Sequence, residues 1–227
     1  MPIERKQPIR QNPATKASFN DLENWFSIPR MSTYVGHQDS VDLYLWNNRI
    51  AKAFLEDIEH FEVLLRNWID RNLSPTWGPQ WYDNTRSTEN PTGLNFNNLD
   101  MRGIQKAKRR AGGPNSSPGK IISELSLDFW VRIFDRRHRT TIHPKLVSSI
   151  KHAHSISDFK TKIDPVYKLR NRCAHHEPLV KTNLLLEEQN VNEALAAIET
   201  VTRWINPQAS NWIMGNSRVK DLYARRP

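Results

Sequence analysis

A single cysteine in 227 residues rules out an intrachain disulfide framework. Cys173 stands alone, which fits a reducing compartment, so a cytoplasmic chain is expected. No apolar run approaches the length of a bilayer crossing. The opening MPIERKQPIRQNP is basic but lacks the apolar core of a signal segment. No membrane partner is therefore expected. Glycine is scarce, at eight residues, and residues 39–73 hold neither glycine nor proline. Apolar–polar alternation of useful length is also missing, which leaves no basis for a sheet.

Acidic residues are in deficit. There are 33 lysines and arginines against 24 aspartates and glutamates, giving a net charge of +9 and a pI near 9.8. Such a balance implies acidic partners, and nucleic acid is the usual one. With 37% hydrophobic residues and a mean hydropathy of −0.70, the chain reads as soluble and polar. Its length suits one domain with a sizeable core. Residues 1–17, rich in Pro, Lys and Gln, read as a flexible basic tail, and 18–227 as a single domain.

The pattern of elements is all-α, a mostly antiparallel helical bundle. A short helix is expected over 19–28, capped by Ser18 or Asn20 and ended by Pro29. Over 39–73, apolar residues recur at Leu43, Trp46, Ile50, Phe54, Ile58, Phe61, Leu65, Trp68 and Leu73. Those steps mark one buried face of a long helix, roughly 50 Å at 1.5 Å per residue. Residues 74–98 form an irregular loop holding Trp77, Trp81 and Tyr82, which either tuck onto the core or stack on bases. Further helices are expected over 100–111, 121–135 and 145–153. Another runs from Ser157, with a restart at Asp164–Pro165 and Val166, Leu169 and Cys173 facing inward. One more covers 190–205, capped by Asn190, and 210–226 holds a last short helix and a basic tail.

The chemistry concentrates in residues 167–178, YKLRNRCAHHEP. Metal-free RNA cleavage needs a base for the 2′-hydroxyl, an acid for the leaving 5′-oxygen and positive charge on the phosphorane. Histidine suits the first two roles because its pKa lies near neutrality. Arginine suits the third because its planar fork matches phosphate oxygens. Arg170 and His175 are thus sufficient in type, with His176 and Asn171 as helpers. On one α-helix, however, residues five apart are rotated by roughly 140°, whereas Asn171 and His175 share a face. Either the helix loosens before Pro178 or two copies assemble the site. A purely structural alternative is a polar last turn in which Glu177 pairs with Arg170 or Arg172.

Other cations are candidate RNA contacts: Arg66, Lys106, Lys108, Arg109, Arg110, Lys120 and Arg172. The stretch GGPNSSPGK lacks the Walker pattern and reads as an interhelix turn. Glu62, Arg66 and Asn67 fall among core positions, as an i,i+4 pair or as support for the Arg170/His175 helix. His152, His154, His175 and His176 match no defined zinc spacing, so neither metal nor cofactor is expected.

The Arg-polar-(X)-His arrangement resembles the signature of the HEPN superfamily, and LRNRCAHHEP resembles more specifically the Abi-like (abortive infection) proteins. Two further stretches carry the same resemblance. One lies in LYLWNNRIAKAFLEDIEHFEVLLRNWI, with Tyr44, Trp46, Asn47, Glu62, Val63, Leu65, Arg66 and Asn67. The other is GKIISELSLDFWVRIF, with Gly119, Glu124, Leu125, Ser126, Phe129 and Trp130. The resemblance implies a HEPN-like helical bundle and a homodimer with a composite site. It also implies a metal-independent endoribonuclease using Arg170 and His175, assisted by His176 and Asn171. The product would be a 2′,3′-cyclic phosphate and the role that of a toxin in phage defence, restrained by a protein or RNA antitoxin. A non-catalytic RNA-binding module and a helical interaction protein are the alternatives.

Overall fold

The computed structural model describes residues 4–150 and 155–227. Among them are eleven α-helices and no strand; one isolated bridge joins Thr85 and Leu94. None of these helices is long and apolar enough to cross a membrane.

The sequence signals place most helices, but several ends move. Helix α1 (Phe19–Phe26) starts at Ser18, whose hydroxyl forms a capping box with Asp21. It stops at Ser27, held at φ 79, and Pro29 opens a second short helix, α2 (Ile28–Met31), rather than ending the first. Helix α3 (Ser40–Trp77) runs past the expected end at Leu73 and through Pro75. Gly78 closes it at φ 80, returning its N–H to Ser74 at 2.8 Å. Asn97 caps α4 (Asn98–Ala111), and Gly112 and Gly113 end it. GGPNSSPGK is thus an interhelix turn.

The single helix expected over 121–135 is two, α5 (Pro118–Glu124) and α6 (Leu127–Arg132). Leu125 and Ser126 take extended backbone between them, and the Trp130 indole donates to the Leu125 carbonyl at 3.2 Å. Helix α7 (Ile142–Val147) lies earlier than the expected 145–153, whose last residues fall outside those described. Helix α8 (Ile156–Ala174) is continuous through Pro165, with no restart. Helix α9 (Leu184–Ile205) begins well before Asn190 because Asn183 supplies the cap, accepting from the Leu186 N–H at 3.1 Å. Asn206 then caps α10 (Pro207–Asn216), and α11 (Val219–Ala224) follows.

The helices group into two compact units, each built from separate stretches of chain. The first comprises Met1–Ile58, Lys168–Glu193 and Ile213–Pro227. Its core centres on Trp46, fully buried, whose indole donates to the Leu222 carbonyl at 2.7 Å beside the Tyr223 ring. Residues Lys6 and Ile9 donate backbone hydrogen bonds to the Ala224 and Arg225 carbonyls at 2.7 and 2.8 Å, and Ile9 is buried. Arg226 and Glu187 form a buried ion pair at 2.6 Å, and Glu187 also accepts from the Lys181 N–H. Removing one partner of such a pair strands a buried charge.

The second unit comprises Glu59–Tyr167 and Ala194–Trp212. Trp68, Phe134 and Phe159 stack in near-parallel, with Trp204 against Phe159. Trp81, Phe96, Phe129 and Trp130 form a second aromatic group. Trp81 and Tyr82, candidates for base stacking, are buried in this core; the Trp81 indole donates to Asp70 at 2.9 Å. Trp77 is half-buried, with Lys145 over its ring. Asp100 is buried, caps Asn97 and pairs with Arg132 and Arg137 at 2.7 and 3.0 Å.

Candidate functional site

The residues of YKLRNRCAHHEP that carry chemistry belong to the first unit, at the C-terminal end of α8. Cys173 anchors that end in the core. Burial pushes its thiol up to about 12, so it is a packing group and not a nucleophile. Val166 is buried as expected, but Leu169 is only half-buried.

The helix does not loosen before His175. The His175 N–H still returns to the Asn171 carbonyl at 2.9 Å, so Arg170 and His175 keep the helical offset of roughly 140°. The change comes one residue later. The His176 N–H bonds Cys173 O at 3.1 Å and the Glu177 N–H bonds Arg172 O at 2.8 Å, the paired bonds of a Schellman ending. His176 takes the left-handed position at φ 58. Glycine usually fills that place, since a Cβ there costs about 1 kcal/mol.

Three groups hold this ending. Pro178 disfavours helical backbone at Glu177. Arg172 donates to the Pro178 carbonyl and lies 3.6 Å from the Glu177 carboxylate. Of the two partners open to Glu177 in the sequence, Arg172 is the one paired here. Asn47 on α3, almost fully buried, accepts from the Leu179 N–H at 2.8 Å and fixes the chain just past the turn. Asn47 is a positioning residue that sequence reasoning recorded only as part of a motif; a buried amide amid the apolar face of α3 was the available signal.

The result is an exposed polar tip. His175 and His176 are solvent-exposed, while Arg170 and Asn171 are half-buried and joined by a 3.4 Å hydrogen bond to the Asn171 oxygen. Two imidazoles, an amide and a guanidinium are thus presented within residues 170–176. A phosphodiester could take charge from the arginine and exchange protons with the histidines.

The sequence model of the Abi-like proteins matches residues 19–181, which takes in all of this tip and most of the chain. The chain belongs to the Abi-like protein family. That membership points to a role in abortive infection. No curated protein and no solved structure matches the chain.

Arg66, Lys106, Lys108, Arg109, Arg110 and Lys120 belong to the second unit. Arg66 is half-buried, Glu62 likewise, and Asn67 is exposed, so this trio does not sit in the core. Lys106, Arg109, Arg110 and Lys120 are exposed. Lys108 is not available in the same way: its ammonium pairs with Asp83 at 2.5 Å and lies over the Tyr82 ring. Arg102, exposed one turn before Lys106, extends the basic face and was missed. His138 and His143 are buried; His138 is pushed down to about 4 by burial and by Arg137. Among the described residues no cluster could hold a metal ion, and His152 and His154 lie outside them.

Proposed function

We propose that this Abi-like protein is a metal-independent endoribonuclease of the HEPN type, acting as a toxin in phage defence. The observation that carries the reading is the end of α8, where His175 and His176 are exposed and the half-buried Arg170 and Asn171 are hydrogen-bonded within the preceding turns. A histidine takes the proton of the 2′-hydroxyl as its oxygen bonds phosphorus. Arg170 neutralises the phosphorane. A protonated imidazole then donates to the 5′-oxygen as the P–O5′ bond breaks. The products are a 2′,3′-cyclic phosphate and a 5′-hydroxyl. His175 is the acid/base, and His176 and Asn171 assist. Because Arg170 and His175 diverge on one helix, the site is completed by a second copy in a homodimer. A protein or RNA antitoxin, or a trigger, restrains it in the cell.

The exposed cations of α4 favour a second reading, a module that holds RNA on its backbone without cutting. Purified protein incubated with labelled cellular RNA in EDTA separates the two. Wild type should cut and leave cyclic-phosphate ends, and His175→Ala and Arg170→Ala should each lower the rate by on the order of 10²- to 10⁴-fold with RNA affinity nearly intact. If all three proteins bind RNA and none cuts, the nuclease reading gives way to the binding module.

A further inference from the structure

We infer that the second unit carries a nucleotide-binding pocket distinct from the α8 tip. A cavity of about 690 Å³ opens between the basic turn after α6, helix α7 and the first turns of α8. Its lining residues all belong to that unit. The volume suits a small ligand.

The charge of the lining favours an anion. Arg136 and Arg139 are exposed on the rim and form no ion pair among the described residues. The nearby carboxylates are already engaged. Asp135 lies 3.0 Å from Arg137 and 3.4 Å from Lys160, and Asp164 lies 3.2 Å from Lys160. Two guanidinium forks are therefore left for a ligand, and their planar donors match phosphate oxygens. The start of α8 is not the source of this preference, because Ser155 and Asp158 already cap it reciprocally.

The rest of the lining mixes polar groups, His143, Ser155, Ser157 and Thr161, with three apolar side chains. Phe134 and Ile156 are buried, and Val147 is exposed. Unpaired guanidiniums and apolar side chains in one lining fit a molecule that carries both a phosphate and a ring. That chemistry is a nucleoside phosphate, either free or at the 5′ end of an RNA strand. The inference does not depend on cleavage at the α8 tip.

The test is calorimetric titration of the full chain with AMP, GMP, CMP, UMP, inorganic phosphate, and a short RNA with and without a 5′-phosphate. The comparison protein is Arg136→Ala/Arg139→Ala, whose sites are exposed; its unliganded melting temperature checks the fold. At least one mononucleotide or the 5′-phosphorylated RNA should bind about tenfold or more tighter than inorganic phosphate, and the double substitution should weaken it by about tenfold. Binding of free mononucleotide identifies a small-molecule site, and binding confined to phosphorylated RNA identifies a strand-end site. The inference is overturned if none of these ligands binds, if the double variant binds as tightly as wild type, or if inorganic phosphate binds equally well. A second variant, Val147→Glu, places a carboxylate at an apolar lining position and should weaken nucleotide binding as well.

Discussion

His176 sits at a position where its side chain works against the backbone. At φ 58 a β-carbon is disfavoured, and the Schellman bonds at Cys173 and Arg172 need no imidazole. Replacing it with glycine should therefore stabilise the fold by about 1 kcal/mol. If the imidazole serves the reaction, the same change should lower cleavage. Urea unfolding of His176→Gly beside His176→Ala checks this; a glycine variant less stable than wild type would mean that the ring packs rather than serves. A buried histidine bears on stability instead. His138 is buried, its Nε2 accepts from Arg137 at 3.2 Å, and its Nδ1 has no partner among the described residues. Its pKa falls from 6.5 to about 4 on folding. The unfolded chain therefore takes up this proton first as pH drops, and stability is lost between about pH 6.5 and 4, by about 3 kcal/mol in total. His143, also lowered by burial, adds to the same slope. Denaturant unfolding from pH 7 to 4 should show the decline, and His138→Phe should flatten it; an unchanged slope in that variant would assign the effect elsewhere.

At the scale of elements, helix α4 separates cations that hold the fold from cations that are free to bind. Arg102, Lys106 and Arg109 recur at helical spacing on its exposed side, with Arg110 beside them, while Lys108 faces Asp83 and Tyr82. Lys106→Glu/Arg109→Glu should weaken RNA binding across sequences and flatten its salt dependence. Lys108→Ala should leave affinity nearly unchanged and lower the melting temperature slightly. Equal losses of affinity from both would show that α4 is not the contact face. The same contrast explains what the sequence revealed and what it withheld. Apolar periodicity located α3 and its buried face, because Leu43 to Leu73 repeat the helical step. It could not place the break at Leu125 and Ser126, where no glycine or proline marks it, nor carry α8 across Pro165. Asn190 reads as the cap, but the helix starts earlier, where Asn183 accepts from the Leu186 N–H. The α8 tip was legible by residue type. Its left-handed turn was not, since no glycine marks it, and neither was the Asn47 anchor, which joins groups far apart in the chain.

The whole molecule turns on whether one copy can complete a site. The helical bond from His175 to Asn171 keeps Arg170 and His175 on diverging faces of α8, and only His176 departs from the helix. If cleavage requires Arg170 from one protomer and His175 from another, a two-fold dimer holds two such sites. Arg170→Ala and His175→Ala homodimers are then each inactive. When the two proteins are unfolded together and refolded as a mixture, about half of the dimers are mixed. In each mixed dimer one site pairs the two substituted residues and the other pairs two intact ones. Activity should recover to about a quarter of wild type, a level that neither variant reaches alone. If Arg170 and His175 act within one chain, no mixed dimer has an intact site, and the refolded mixture should remain as inactive as its components. Recovery that scales with the product of the two concentrations would tie catalysis to the assembly, whereas an inactive mixture despite proven subunit exchange would return the chemistry to a single α8 tip.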